Sequence, residues 1–490
     1  MKKSISLFLV FTILFLSLFS CSESGANTED ESTPAQGSEV VSPAETEPAE
    51  TALPLPEADY DGYEVRVLNN ISNFAYTNIG EEGLTGESLD DAVFNRNKSV
   101  EEALNVTFTI EKREYSDTSA TIQKVVSAGE DVYDFYTCDL NILLGHAMSG
   151  YVMNAKYVDT IQFDQPWWNK QAIDSVSIGD AIYGFFGDLH TGYFESHNVA
   201  AFNKRILTDL NLPDPYELVH NNEWTLDKMI AMMDAAKMDL DGDGSWTVED
   251  QYGLSMFQGN WSLAFITGGD AFIVEKDENN LPVWNGISER FLTVFEAATS
   301  IFDESSNNAI NARGTLPGNL ELYRLMFIYD RVLFLVTQIG VLKNMRDVNF
   351  ELGVVPSPKF DQTQADYVSL IFQGANAVGI PMTNPDAERT GVVLDYLAAL
   401  STDTVRDVYI NQTLDFKYIQ DRESQEMLDI ILSTGTFEIA AVYDWGGIAG
   451  QVMTLLNAGK NTLASTAAKV EKRVVKAMEE TVATFEKAGQ

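Results

Sequence analysis

YEVRVLNNISNFAYTNIGEEGLTGESLDDAVFNRNKSVEEALNVTFTI, residues 63–110, carries a strand, a helix and a second strand in that order. Tyr63-Glu-Val-Arg-Val-Leu68 alternates with the period of a half-buried strand, then breaks at Asn69-Asn70 into a polar loop through Asn73 and Phe74. Ser88 to Asn105 changes to a helical period: Val93, Val100, Ala103 and Leu104 fall near one face, with charges between them. Val106 to Ile110 is β-branched and alternating again. The same alternation continues outward with a predicted helix over Thr118 to Ala128 and a strand over Val132 to Thr137. Helices alternating with short strands predict an α/β fold built in layers.

Later segments keep this mode. Asn198 to Asn203 and Val332 to Gln338 read as strands, the second fully buried, and Tyr252 to Phe257 as another. Leu226 to Met238 reads as a helix, as do Ala387 to Leu400, entered past Pro381 and Pro385, and Ala464 to Lys487. No repeat of solenoid period is present.

Ahead of this body the chain reads as an address and a tether. Lys2 and Lys3 precede an apolar run from Ile5 to Phe19, too short to span a bilayer comfortably, so residues 1–20 are expected to be a signal peptide. Leu18-Phe19-Ser20-Cys21 resembles the bacterial lipobox, with Phe19 departing from the usual small or branched residue, and Cys21 is the expected lipid attachment point. Residues 21–59 are rich in Glu, Ser, Thr, Pro and Ala, a composition that cannot offset the entropy of ordering, and are expected to be an acidic disordered tether.

The roughly 430 residues that remain are long for one simple core and suit two lobes. A net charge of −41 argues against nucleic-acid or anionic-membrane binding, both of which need basic patches. With Cys21 given to the anchor, Cys138 stands alone and no internal disulfide is expected.

Several short segments carry a resemblance: Asp134 to Gly150, Tyr183-Gly184, Phe202-Asn203-Lys204, Glu223-Trp-Thr-Leu-Asp227 and Asp250-Gln-Tyr-Gly253. In this order they resemble the family 1 extracellular solute-binding proteins, relatives of maltose-binding protein. The resemblance implies a type II periplasmic-binding-protein fold, two discontinuous α/β lobes joined by crossover hinge segments, with ligand held in the cleft between them. The crossovers are placed near Glu195 to Asn198 and Phe372 to Ala375. One lobe is then 60–196 with 373–430, the other 197–372 with 431–490. It further implies a monomer that captures a small solute, most often an oligosaccharide, for the permease subunits of an ABC importer.

Asp239-Leu-Asp-Gly-Asp-Gly-Ser-Trp-Thr-Val-Glu-Asp250 is the sharpest local motif. Acidic oxygens at loop positions one, three and five, Gly at six and a carboxylate at twelve match an EF-hand calcium loop. Asp239, Asp241, Asp243, the Ser245 carbonyl and Asp250 are the expected ligands of a structural Ca²⁺. Asp in place of Glu at position twelve shortens the reach, and the following strand makes this a single loop without a paired hand.

Sugar clefts use aromatic faces for the apolar side of a pyranose and carboxylates, amides or Arg for its hydroxyls. Trp167, Trp168 and Trp284 read as packing residues. Trp261, in a loop after a strand, and Tyr443 with Trp445, ahead of Gly446-Gly447, are the aromatic candidates. Polar candidates sit at strand ends, where ligands bind open α/β sheets: Asn70, Asn73, Asp139, Asn141, Asp188 and Glu195. The acidic composition favours an uncharged ligand, unless Arg324 or Arg331 supplies a local cation; peptides and polyols are the alternatives to an oligosaccharide.

Enzyme motifs are absent: no GxSxG, HExxH, GxxxxGK[ST] or GxGxxG occurs, and His146, His190, His197 and His220 form no pair at helical metal-ligand spacing. The resemblance, which points away from catalysis, implies a binding protein and not an enzyme. A glycoside hydrolase needs only two carboxylates and stays as an alternative, as does a surface glycan-retention protein that serves no transporter.

Overall fold

The computed structural model describes residues 55–71, 75–257, 259–303, 305–310, 322–345, 348–414 and 421–488. Residues 1–20, Cys21, almost all of the tether and Asn73 lie outside them.

The first sheet starts with β1 (Tyr63–Ile71), α1 (Ser88–Leu104), β2 (Val106–Glu114), α2 (Tyr115–Ala128), β3 (Phe135–Asp139) and α3 (Leu140–Met148). The second holds β4 (Asn198–Asn203), α4 (Leu226–Ala236), β5 (Tyr252–Met256), α5 (Glu289–Ile301), β6 (Val332–Gln338) and β7 (Leu352–Val355). Then come β8 (Ser369–Leu370), β9 (Asn376–Gly379), α6 (Ala387–Ser401), α7 (Arg422–Ser433), β10 (Gly435–Thr436), α8 (Ile439–Tyr443), α9 (Ile448–Asn457) and α10 (Leu463–Ala488). The strands order as β9-β3-β1-β2 in one sheet and β5-β6-β4-β7 in the other. β1 runs parallel to β2 and β3, and β9 closes that sheet antiparallel to β3. Every residue of β4 and β6 is buried, which is why both read as strands of fixed length: helices and loops cover both faces.

Two strands depart from the reading by period. β1 continues past Leu68, pairing with β2 as far as Ile71 and Glu114. Asn69 tolerates this burial because its amide is used: Asn69 Nδ2 donates to the Thr77 carbonyl at 2.8 Å, and its Oδ1 accepts from the Ile79 amide. β3 starts at Phe135 and not at Val132. Just before it, the Asp134 carboxylate accepts from the Arg66 amide and the Tyr63 hydroxyl, both at 2.7 Å, which bolts the strand's entry to β1.

The chain passes from the first sheet to the second just after Glu195 and returns before Asn376. At the junction the Ser196 carbonyl accepts from the Phe372 amide and the His197 carbonyl from the Ile339 amide, each at 3.0 Å. A third segment runs beside them, because β10 pairs parallel to β8 and the Thr436 carbonyl accepts from the Ile371 amide at 2.8 Å. α7 packs on β7 of the second sheet, so that contact begins before residue 430, where the sequence reading places the change of lobe. α8 packs on α3 of the first sheet, and α9 on α5 of the second.

Candidate functional site

Strands of both sheets end at the junction in polar side chains. Asn70, at the end of β1, donates from Nδ2 to Asp139 Oδ1 at 3.1 Å, at the end of β3. Asn376 opens β9 directly opposite Asp139. On the second sheet Gln338 ends β6 opposite Asn198, which starts β4. All four amide side chains are buried: 0 % of Asn70 and Asn198, 3 % of Asn376 and 5 % of Gln338 is exposed. Asn70 Oδ1, Asn198 Oδ1, Gln338 Nε2 and both polar atoms of Asn376 have no hydrogen-bond partner among the described residues. A buried amide atom without a partner costs about 1–3 kcal/mol, so these atoms are free to take up hydroxyl groups or water.

Carboxyls flank the amides. Burial pushes Asp139 up to about 7, against the pull of its Asn70 hydrogen bond. Glu195, 4 % exposed, accepts from the Tyr76 amide at 3.0 Å and the Thr191 hydroxyl at 3.3 Å; burial pushes it up to about 7 while Lys343, beyond β6, pulls it down. Near neutral pH both therefore hold a proton part of the time and can donate as well as accept.

The remaining predicted residues divide. Asn141 is exposed in the first turn of α3, with its backbone amide donating to the Gln373 carbonyl of the return segment. Asp188 faces a different partner set: Thr402 Oγ1 donates to it at 2.8 Å, Arg406 Nε stands 3.8 Å away, and burial pushes it up to about 6. It lines a separate groove of about 490 Å³ with Trp168, Tyr193, Arg406 and Ser433.

The aromatic candidates are packed inside. Trp261 is 6 % exposed and meets Phe257 and Tyr323 edge to face at 5.4 and 5.5 Å, at the end of β5. Trp445 is 2 % exposed, stacked on Tyr443 at 4.9 Å, and its indole donates to Thr481 Oγ1 at 3.0 Å. Tyr443, half-buried, donates its hydroxyl to the Val176 carbonyl. Gly446 and Gly447 do form a left-handed turn, at φ 58° and 71°, but it does not expose the ring as the sequence reading expects. Its purpose is close approach: a Cβ on Gly446 would lie 2.7 Å from the Val474 backbone nitrogen of α10, and that proximity turns Trp445 inward. Trp167 and Trp168 share Asp395 as acceptor, in keeping with packing. Arg331 is engaged by Glu249, its Nη1 2.6 Å from that carbonyl.

Sequence reading missed Gln338, Asn376, Asn198 and Lys343. Gln338 had a local signal, being the polar end of an otherwise apolar strand that points toward a crossover.

The acidic loop lies on the second-sheet side, between α4 and β5. Asp239, Asp241 and Asp243 each place a carboxylate oxygen within 4.8 Å of the others. Backbone amides organise them: Gly244 and Gly242 donate to Asp239 at 2.8 and 2.7 Å and hold its pKa down. Asp241 is raised: the Asp243 amide draws it down, but desolvation and the neighbouring carboxyls outweigh this. Asp250 stands apart from the triad. It is fully buried, its two oxygens accepting from Leu240 at 2.9 Å and Thr247 at 2.7 Å, so it braces the loop from beneath.

No protein-family model and no curated protein sequence matches the chain. Among solved structures it is similar to an ABC substrate-binding protein from Listeria monocytogenes in complex with cycloalternan, at 16 % identity and a TM-score of 0.54, covering 86 % of this chain and 100 % of that one. A cyclo/maltodextrin-binding protein complexed with maltotetraose matches at 12 % identity and 0.53, covering 87 % and 97 %. A maltose-bound protein of T. maritima matches at 12 % and 0.51, covering 87 % and 99 %. The fold is that of the two-lobed periplasmic solute-binding proteins, as the resemblance implied. Among the described residues no helix is long and apolar enough to cross a membrane.

Proposed function

We propose that the chain captures an uncharged oligosaccharide in the cleft between its lobes and delivers it to an ABC importer, without chemical turnover. The observation that carries this reading is the set of unpartnered amides of Asn70, Asn198, Gln338 and Asn376 where the sheets meet. Amides donate and accept without net charge, which suits hydroxyl groups, and Asp139 and Glu195 at about 7 add carboxyls of either character. The similar structures are named as carrying cycloalternan, maltotetraose and maltose, which supports a glycan. A glycan panel read by thermal shift, with calorimetry on hits, tests this. Gln338→Ala and Asn376→Ala should each cost about 1–3 kcal/mol of binding, roughly five- to 150-fold in Kd. Hits that neither substitution weakens would put the site elsewhere, and shortened products would make the protein a hydrolase.

Lipid anchoring through Cys21 accounts for an extracytoplasmic place, and the acidic tether gives the body reach. Cys21→Ala should move the protein out of the detergent-extractable membrane fraction or leave an uncleaved precursor; unchanged fractionation and migration would exclude the anchor.

For the acidic loop the reading is Ca²⁺ on Asp239, Asp241 and Asp243 with the Ser245 carbonyl, the crowding that raises Asp241 being relieved by the cation. Binding to the folded form alone would add about 2.7 kcal/mol at a hundredfold excess over Kd. Chelator should lower the melting temperature, and Asp241→Ala with Asp243→Ala should abolish that response. Identical melts of dialysed protein with and without chelator would dismiss the ion.

A further inference from the structure

We infer that the hairpin Glu275–Val283 is an interlobe latch, an arm of the second lobe whose grip on the first helps hold the cleft shut. The inference rests on the capture reading only for its purpose; the contact itself is structural. The arm leaves the second-sheet side ahead of α5, and its two short strands pair Glu275 with Val283 and Lys276 with Pro282. Its tip is tied to itself: Asp277 Oδ1 accepts from the Asn279 and Leu281 amides, both at 2.9 Å. Asn280 there adopts φ 60°.

From this arm two side chains cross to the first lobe. Asn280 and Gly179 exchange a reciprocal pair, the Gly179 amide donating to the Asn280 carbonyl and Asn280 Nδ2 to the Gly179 carbonyl, both at 2.9 Å. Lys276 Nζ donates to the Ser177 carbonyl at 2.9 Å and to that of Asp174. Burial among these carbonyls pulls the lysine down to about 8. The turn they hold is fastened to the first sheet, since Asn154 Oδ1 accepts from the Ile182 amide and Phe185 pairs with Val378 of β9. Beside the arm runs a groove of about 770 Å³, bounded by Tyr157, Asp180, Asn279 and Phe485, which leaves room for it to swing.

None of these bonds touches the hinge segments, so hinge pairing does not require them. Contacts made in one arrangement and lost on separation lend their free energy to that arrangement alone. The arrangement they favour is the one described here, in which the arm touches the first lobe.

Two variants test this: Lys276→Met, and Asn280→Gly, which keeps the positive φ and removes only the amide. Interlobe distance is read by paired fluorophores in the full chain without ligand, then glycan dissociation is timed on any panel hit. Their combination should enlarge the extended population and speed dissociation about five- to twentyfold, with association little altered. A double variant that melts like wild type yet shows unchanged distances and dissociation overturns the latch. If the double variant unfolds, each single variant is scored the same way. Because the distance measurement uses no glycan, an extended double variant beside an empty panel keeps the latch and rejects the capture function.

Discussion

Replacing Arg96 with alanine should lower the unfolding free energy by about 3–5 kcal/mol, read as a shifted urea midpoint at constant slope. Arg96 sits on α1 with 1 % exposed, and its hydrogen bonds among the described residues go to carbonyls, an amide and a hydroxyl. Its guanidinium donates to three separate stretches of chain and to its neighbour: the Ile79 carbonyl at 3.0 Å, Leu189 at 3.0 Å, Leu397 at 3.3 Å with Ser401 Oγ alongside, and Asn97 Oδ1 at 2.7 Å. Burial pulls its pKa down to about 9, which leaves it charged at pH 7. Truncation removes the stem's packing and takes a donor from three buried carbonyls, of which Ile79 keeps Asn97 Nδ2 and Leu397 keeps Ser401 Oγ. Arg96→Met separates the two effects, because it restores volume and no donor. If the methionine variant regains nearly all the stability, the hydrogen bonds matter little; a loss below about 1 kcal/mol for alanine would show the site relaxes freely.

Trp445→Ala should cost a comparable amount, about 3–5 kcal/mol of stability. The indole fills the space between Tyr443 and α10 and ties the C-terminal helix down through Thr481. Trp445→Phe should recover part of the loss, keeping an aromatic face without the hydrogen bond. Glycan affinity per folded molecule should stay within a few-fold of wild type, because the ring makes no contact with the junction amides. A variant of wild-type stability that lost its ligand would return Trp445 to the binding surface.

How far this was legible from the chain depends on distance along it. β4 and β6 could be bounded from sequence because unbroken apolar runs end at Asn203 and Gln338. β1 ran on past its expected end because Asn-Asn is a turn signal that tertiary partners, Thr77 and Thr137, overruled. That Asn70 and Asp139 lie together was readable since parallel strand ends converge by rule. Gln338 and Asn376 were not, since each meets the junction through antiparallel pairing with a strand more than a hundred residues away. Trp445 misled for a related reason: two glycines announce a turn, but which side of the turn faces water depends on a helix that comes later in the chain.

The three backbone segments lying side by side at the junction have a mechanical meaning. A panel hung from one strap twists as readily as it swings. Hung from three straps lying side by side, stitched at Ser196–Phe372 and Ile371–Thr436 with His197 tied to Ile339 at the end of β6, it keeps the swing and loses the twist and the sideways slip. The segments thereby favour bending of the lobes about the junction over their other relative motions.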